Sequence, residues 1–182
     1  MFEVPVDFSF KRLESVADAL TVEPNGSVRP LKRNKEGKIR SKALRFNNNH
    51  ITDVSGLINT VMALLCEAPR LAWLDLSFNE ISHISPVLTE LKELRVLYLH
   101  SNNVCKLSEV DKLSVLPLLH TITLHGNGME NERGYRGYVI AVLPHLKTMD
   151  FSAVTRQERV MADIWHKANR RGNAARQGPG NC

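Results

Sequence analysis

The sequence is short of cysteine, has no long apolar run and carries no complete catalytic set. Each shortage closes off a class of protein. Three cysteines stand in 182 residues, Cys66, Cys105 and Cys182, odd in number and widely spaced. That pattern supports neither a disulfide framework nor a zinc site, and predicts reduced thiols in a cytoplasmic setting. No stretch of eighteen apolar residues occurs, so no membrane insertion is expected. The opening "MFEVPVDFSFKR" breaks its apolar residues with Glu3 and Asp7 and has no basic start, which argues against a secretory signal. A prenylation box needs Cys fourth from the end, and Cys182 is last. What remains is a chain of 43% hydrophobic residues, enough for one domain with a sizeable core.

The net charge of +5 is unevenly spread. Residues 29–45, "RPLKRNKEGKIRSKALR", hold eight Lys or Arg and one Glu. Arg29, Lys32, Arg33, Lys35, Lys38 and Arg40 form the candidate basic patch. From His166 onward come Lys167, Arg170, Arg171 and Arg176 with no acid. Such ends favour an acidic partner: nucleic acid, a membrane surface, or an acidic protein such as tubulin. The plainer alternative is a solvated loop and a disordered tail.

The strongest signal is a repeat. In "LAWLDLSFNEISHI" the spacing of Leu71, Leu74, Leu76, Asn79 and Ile81 fits neither a helix nor a simple strand. It returns as Leu94, Leu97, Leu99, Asn102 and Val104, and again as Leu119, Ile122, Leu124, Asn127 and Met129. A period in the twenties marks a solenoid. The middle of each unit is a short strand with Leu pointing in. The Asn then satisfies backbone groups that the following turn leaves unpaired. An earlier copy reads Leu44, Phe46, Asn49 and Ile51, with Ser41 at its first Leu position. A later one reads Leu146, Met149 and Phe151, with Val154 in place of the Asn, as suits a terminal repeat. The expected fold is therefore α/β. It is a solenoid of about five repeats with parallel concave strands, an N-terminal extension and a C-terminal helical cap.

The boundaries follow from this reading. Residues 1–40 form the extension with its basic segment, and residues 41–154 the repeats. Residues 155–169 form the cap helix and residues 170–182 a disordered tail. Within the repeats a helix is expected from about Ser55 to Glu67, with shorter helical turns in the next two connections. Thr155 and Glu158 make a capping box, and Val160, Met161, Ile164, Trp165 and Ala168 a stripe expected to cover the open end. Phe2, Val4, Val6, Phe8 and Phe10 share one face of an extended segment. They either fold onto the first repeat or dock on a partner, and docking of residues 1–10 is favoured.

Outward residues form rows across the concave face: Ala43, Trp73, Val96, Thr121, Thr148, then Arg45, Asp75, Tyr98, Thr123, Asp150, then Asn47, Ser77, His100, His125, Ser152. Neighbouring His100 and His125 lack a third metal ligand, and Ser77 beside His100 lacks an orienting acid. No glycine-rich phosphate loop follows a strand. The expectation is a chain that is not an enzyme and takes neither cofactor nor small-molecule substrate. Its candidate partner-binding residues are Phe2, Phe8, Phe10, Arg45, Trp73, Asp75, Tyr98, His100 and His125, because aromatic residues and Arg dominate interface energies.

The repeats and the following "LPHLKTMDFSAVTRQER" resemble the short-repeat leucine-rich family typified by a regulator of protein phosphatase-1. The motif positions are Tyr135 and Arg136, then Leu143, Pro144 and Leu146, then Asp150, then Val154, Thr155, Glu158 and Arg159. The likeness covers roughly residues 41–165. Gly128 departs from it, standing where the family commonly has Pro. "SVRPLKR", "LRFNNN", "LAWLDLSFN", "LYLH", "LSEVDKL", "TLHGN" and "MDFSAVTRQER" are similar to one branch of that family. This resemblance implies a ciliary or flagellar adaptor held in the axoneme, with tubulin or neighbouring microtubule-associated proteins as partners. The family also admits a phosphatase-regulating scaffold, echoed by "KALRF", or an RNA-particle component. Nucleic acid is the weaker expectation, since the basic segment lacks interleaved aromatic residues.

Overall fold

The computed structural model describes residues 4–176. Phe2 lies outside the described residues, as do residues 177–182 of the expected tail. Six strands lie side by side in chain order, all parallel: β1 (Val6–Asp7), β2 (Ala43–Arg45), β3 (Trp73–Asp75), β4 (Val96–Tyr98), β5 (Thr121–Thr123) and β6 (Thr148–Met149). β7 (Ser152–Ala153) turns back antiparallel to β6 and ends the sheet. Helix α1 (Leu57–Leu64), 3-10 turns at Pro86–Glu90 and Leu107–Val115, and helix α2 (Tyr135–Val142) carry the returns between strands. α1 falls inside the expected span. α2 is absent from the sequence reading, because Gly134 and Gly137 interrupt its apolar pattern.

The register follows the rows read from the repeat: Ala43, Trp73, Val96, Thr121 and Thr148 pair in succession. Each strand sends one residue inward. Leu44, Leu74, Leu97, Ile122 and Met149 are all fully buried. The ladder Asn side chains stitch successive repeats together. Asn102 Nδ2 donates to Leu76 O of the previous repeat at 2.9 Å and to Leu99 O of its own at 3.0 Å. Its Oδ1 accepts from Ile81 N at 3.0 Å. Asn49, Asn79 and Asn127 repeat the pattern. The residue before each ladder Asn is left-handed: Asn48, Phe78, Ser101 and Gly126, with φ of 57, 52, 55 and 71°. At Gly126 a Cβ would come within 2.9 Å of Ser101 Oγ, so only glycine fits that close approach.

The N-terminal segment folds onto the first repeat, and this corrects the docking expectation for Phe8. β1 pairs with β2, placing Val6 beside Leu44. Val6 and Phe8 are fully buried, and the Phe8 ring stacks on Phe46 with centroids 5.6 Å apart. Phe10 turns outward, 72% exposed at a left-handed φ of 58°. This is a partial repeat with Lys11 at the ladder position. Asn49 Oδ1 serves it from the next repeat by accepting Lys11 N and Leu13 N. A Ser15–Asp18 capping box then opens the 3-10 turn Val16–Leu20.

The basic segment is a small hairpin. Arg40 N donates to Lys32 O and Asn34 N to Lys38 O, with Gly37 left-handed at the tip. Buried Ile39 pins it to the end of α1 through Leu64 O. At the other end, α3 (Arg156–Arg176) runs past the expected boundary at residue 169, so residues 170–176 are helical rather than a disordered tail. Gly172 weakens a helix, but the flanking Arg and Ala residues favour it, and Gly178–Pro179 is the first strong stop.

The stripe on α3 is not the cap core. Val160, Met161, Ile164, Trp165 and Ala168 are exposed, while Ala162 is buried. The reason is polar. The surface facing α3 offers the backbone carbonyls of Ile140, Leu143 and Leu146, and the Arg159 guanidinium donates to all three. That contact rotates the helix and leaves the apolar stripe outside. Phe151 also departs from expectation. It is 62% exposed instead of core, because Asp150 and Phe151 are both left-handed and swing the chain into the β6–β7 turn.

Candidate protein-docking face

Six rings cluster on the concave sheet surface. Trp73 meets Tyr98 edge-on at 5.7 Å, and Tyr98 meets Phe151 at 5.5 Å. His100 and His125 stack nearly flat, 4.7 Å apart and 9° from parallel. Phe78 packs edge-on against His100 at 5.2 Å, and Phe151 contacts both imidazoles. The sheet brings Trp73, Tyr98, His100 and His125 together as the rows require. Phe78 and Phe151 are the additions. Phe78, 49% exposed, precedes a ladder Asn, and Phe151 lies in the β6–β7 turn; both are left-handed. A bulky residue just before the ladder Asn was the available signal: that backbone turn sends it to the concave rim.

The floor beneath the rings is polar and satisfied. Asp75 is buried and corrects its assignment as a partner-binding residue: its Oδ1 accepts Ser77 N at 3.0 Å and Ser77 Oγ at 2.6 Å. His100 Nδ1 faces Thr123 Oγ1 at 2.7 Å. His125 Nδ1 lies 3.1 Å from Asp150 Oδ1, which also accepts Leu124 N and His125 N. Tyr135 donates its hydroxyl to Asp150 Oδ2 at 2.8 Å. Asp150 Oδ1 thus serves Leu124 N as the strand carbonyls of Tyr98 and Thr123 serve Leu76 N and Leu99 N in the earlier repeats. Burial and the neighbouring His125 push His100 below the ordinary imidazole range, which favours its neutral form. Burial alone would raise the Asp150 carboxyl, but the Leu124 amide, Tyr135 hydroxyl and His125 hold it below the usual value. Burial and the same carboxylate raise the Tyr135 phenol.

The sign of the Asp150 shift yields a test. A carboxyl depressed in the folded state stabilises the fold above its unfolded value. That stability is lost as pH falls through the lower folded value. The urea midpoint of the wild type should drop as pH falls below the ordinary Asp value of 3.8. Asp150→Asn should start lower at neutral pH and show a shallower acid slope. Other depressed carboxyls, such as Asp7 and Glu109, keep that slope from vanishing. Parallel midpoint curves for the two proteins would refute the assignment.

The remaining candidates sit apart. Arg45 reaches Asp7 at 3.5 Å, at the N-terminal end of the sheet. Arg29, Lys32, Lys35 and Arg40 are exposed on or near the hairpin, Arg33 pairs with Glu23 at 3.0 Å, and Lys38 is half-buried. Ser77 Oγ is committed to Asp75, so it is not paired with His100. Among the described residues no group of three or more His, Cys, Asp or Glu is placed to hold a metal ion. No helix among them is long and apolar enough to cross a membrane.

Comparisons with known proteins agree with this architecture. A family model described as leucine-rich repeat matches residues 64–177. Leucine-rich repeat-containing protein 51 of Macaca mulatta is 46% identical over 174 residues, spanning 96% of this chain and 91% of the relative. The Homo sapiens protein of that name is 46% identical over 167 residues, spanning 92% and 87%. A probable U2 small nuclear ribonucleoprotein A' of Caenorhabditis elegans is 36% identical over 51% of this chain and 37% of its own. The crystal structure of the Drosophila melanogaster SNF/U2A' complex superposes with a TM-score of 0.62 at 21% identity, over 83% of this chain and 94% of that one, a likeness of fold. With its Asn-laddered parallel sheet and these relatives over nearly its whole length, the chain belongs to the leucine-rich repeat family, beside the leucine-rich repeat-containing proteins 51.

Proposed function

We propose that the chain is a non-catalytic adaptor, a structural component of the ciliary or flagellar axoneme, and that the concave ring cluster holds its protein partner. The observation that carries the docking is the exposed Phe78 and Phe151 joined to Tyr98, His100, His125 and Trp73 in one patch. Rings held by their neighbours lose little freedom on binding, and buried aromatic anchors contribute about 2 kcal/mol or more each at an interface centre. The axonemal setting rests on the family resemblance of the motifs. The exposed basic hairpin supports an acidic neighbour such as tubulin or a microtubule-associated protein, with attraction that salt weakens. Phosphatase docking through "KALRF" has no support, because Leu44 and Phe46 are fully buried.

A second reading, an RNA-particle component, is favoured by the ribonucleoprotein relative over half the chain. Proximity labelling in ciliated cells separates the two. The wild type should label axonemal proteins. Tyr98→Ala combined with Phe151→Ser should lose that labelling by about tenfold or more, while melting stays within a few degrees of wild type. Labelling of spliceosomal proteins alone would overturn the axonemal reading. Unchanged labelling by the double variant would remove the ring cluster as the docking site.

A further inference from the structure

We propose that the groove between α2 and α3 is a second docking site, and that its occupant is an acidic amphipathic helix of a partner protein. The groove holds about 340 Å³ and is lined by Gly137, Ile140, Met161, Ala162 and Trp165, with the Arg136–Glu158 pair at its edge. It lies away from the concave sheet. Its α3 wall includes part of the stripe that the cap leaves outside, with Met161 60% and Trp165 45% exposed.

Gly137 is the second, independent observation. It stands inside α2, where glycine loses more backbone entropy than alanine. The chain's own packing does not require it: a Cβ added there would meet nothing within 4 Å, and its φ is not left-handed. The missing side chain only deepens the groove, which matters when another backbone must approach closely. Ala162, buried opposite, does the same from α3. A helix laid in this trough buries one apolar ridge against Ile140, Met161 and Trp165.

Charge fixes the kind of helix. The sequence of α3 holds six Lys or Arg and two acids. Glu158 is taken by Arg136 and Arg159 by the carbonyls beneath the helix, which leaves five Lys or Arg against Asp163. A second copy of this chain would bring two basic α3 helices together, which like charge opposes. A flat bilayer would touch the α3 ridge but not the recessed floor. RNA would find one indole among aliphatic side chains, a poor stacking platform. A helix with acidic residues flanking an apolar stripe meets both the trough and the charge.

The test uses the full chain to select from a displayed library of helix-forming peptides. The selected class should carry apolar residues at the helical period and an excess of Asp and Glu. Its affinity should fall about tenfold or more against Met161→Asp and Gly137→Leu, and be unchanged against Tyr98→Ala. Met161 lines the groove and is exposed, so Met161→Asp should melt like the wild type. Gly137→Ala should melt about 2–4 °C higher while binding the peptides more weakly, a split that a purely structural glycine would not give. The proposal is overturned if no acidic helical class emerges, or if Met161→Asp binds the selected peptides as well as wild type. It is equally overturned if Met161→Asp instead abolishes self-association in sedimentation, binding to poly(U), or binding to phosphatidylserine vesicles. None of these outcomes depends on the concave ring cluster.

Discussion

Asn102→Ala is expected to lower the melting temperature by about 6–12 °C, from a loss of about 3 kcal/mol. The side chain is buried and joins three backbone groups of two repeats: Leu76 O, Leu99 O and Ile81 N. Alanine leaves all three without a partner where water has little access. That desolvation cost outweighs the single hydrogen bond a surface Asn would forfeit. Asn102→Asp should be no rescue. It keeps an acceptor for Ile81 N but has no N–H for either carbonyl, and it buries a charge. Asn103→Ala, at an exposed neighbouring position, is the control and should melt like the wild type. Coincident thermal transitions for Asn102→Ala and Asn103→Ala would sink the ladder argument.

The parts of the molecule legible in the sequence are those where one residue has one job. A ladder Asn has one geometry, and the alternating Leu residues have one side to bury. Spacing therefore returned the strands, their register and the concave rows. The reading failed where a residue answers to a turn or a long-range polar partner. Phe151 fits an apolar template, yet a left-handed pair at Asp150–Phe151 turns it outward. The Val160–Trp165 stripe has helical spacing, yet Arg159 decides the helix rotation because three carbonyls elsewhere in the fold need donors. Lys11 hides the N-terminal partial repeat, since Asn49 of the next repeat does its work. The docking face was half legible for the same reason. Its strand residues follow the period, whereas Phe78 and Phe151 depend on backbone sign.

Deleting residues 155–182 is expected to abolish cooperative melting and drive aggregation, and Arg159→Met should reproduce much of that loss with one substitution. α3 covers the last repeat, where Ile140, Leu143 and Leu146 are at most a few per cent exposed. Without it these apolar side chains meet water, and the carbonyls of the same three residues lose their donor. Arg159→Met keeps the aliphatic stem but removes every N–H, so it isolates the polar part of the docking. Charge-assisted bonds to three carbonyls make a cost of about 3 kcal/mol or more reasonable. A second anchor acts beside it. Arg136 donates to Glu158 at 2.6 Å, and with the Thr155 amide it holds the Glu158 carboxyl down at about 2. The folded value is depressed, so this anchor is fully present above 4.5 and fades as pH falls toward 2, and Arg159→Met should make the cap release earlier along that descent. Deleting only residues 170–182 keeps Arg159, Glu158 and the Trp165–Tyr138 contact, and should leave the melting transition nearly in place. A soluble, cooperatively melting protein that lacks residues 155–182 would show that the repeats close their own end and that α3 is held for its outer face alone.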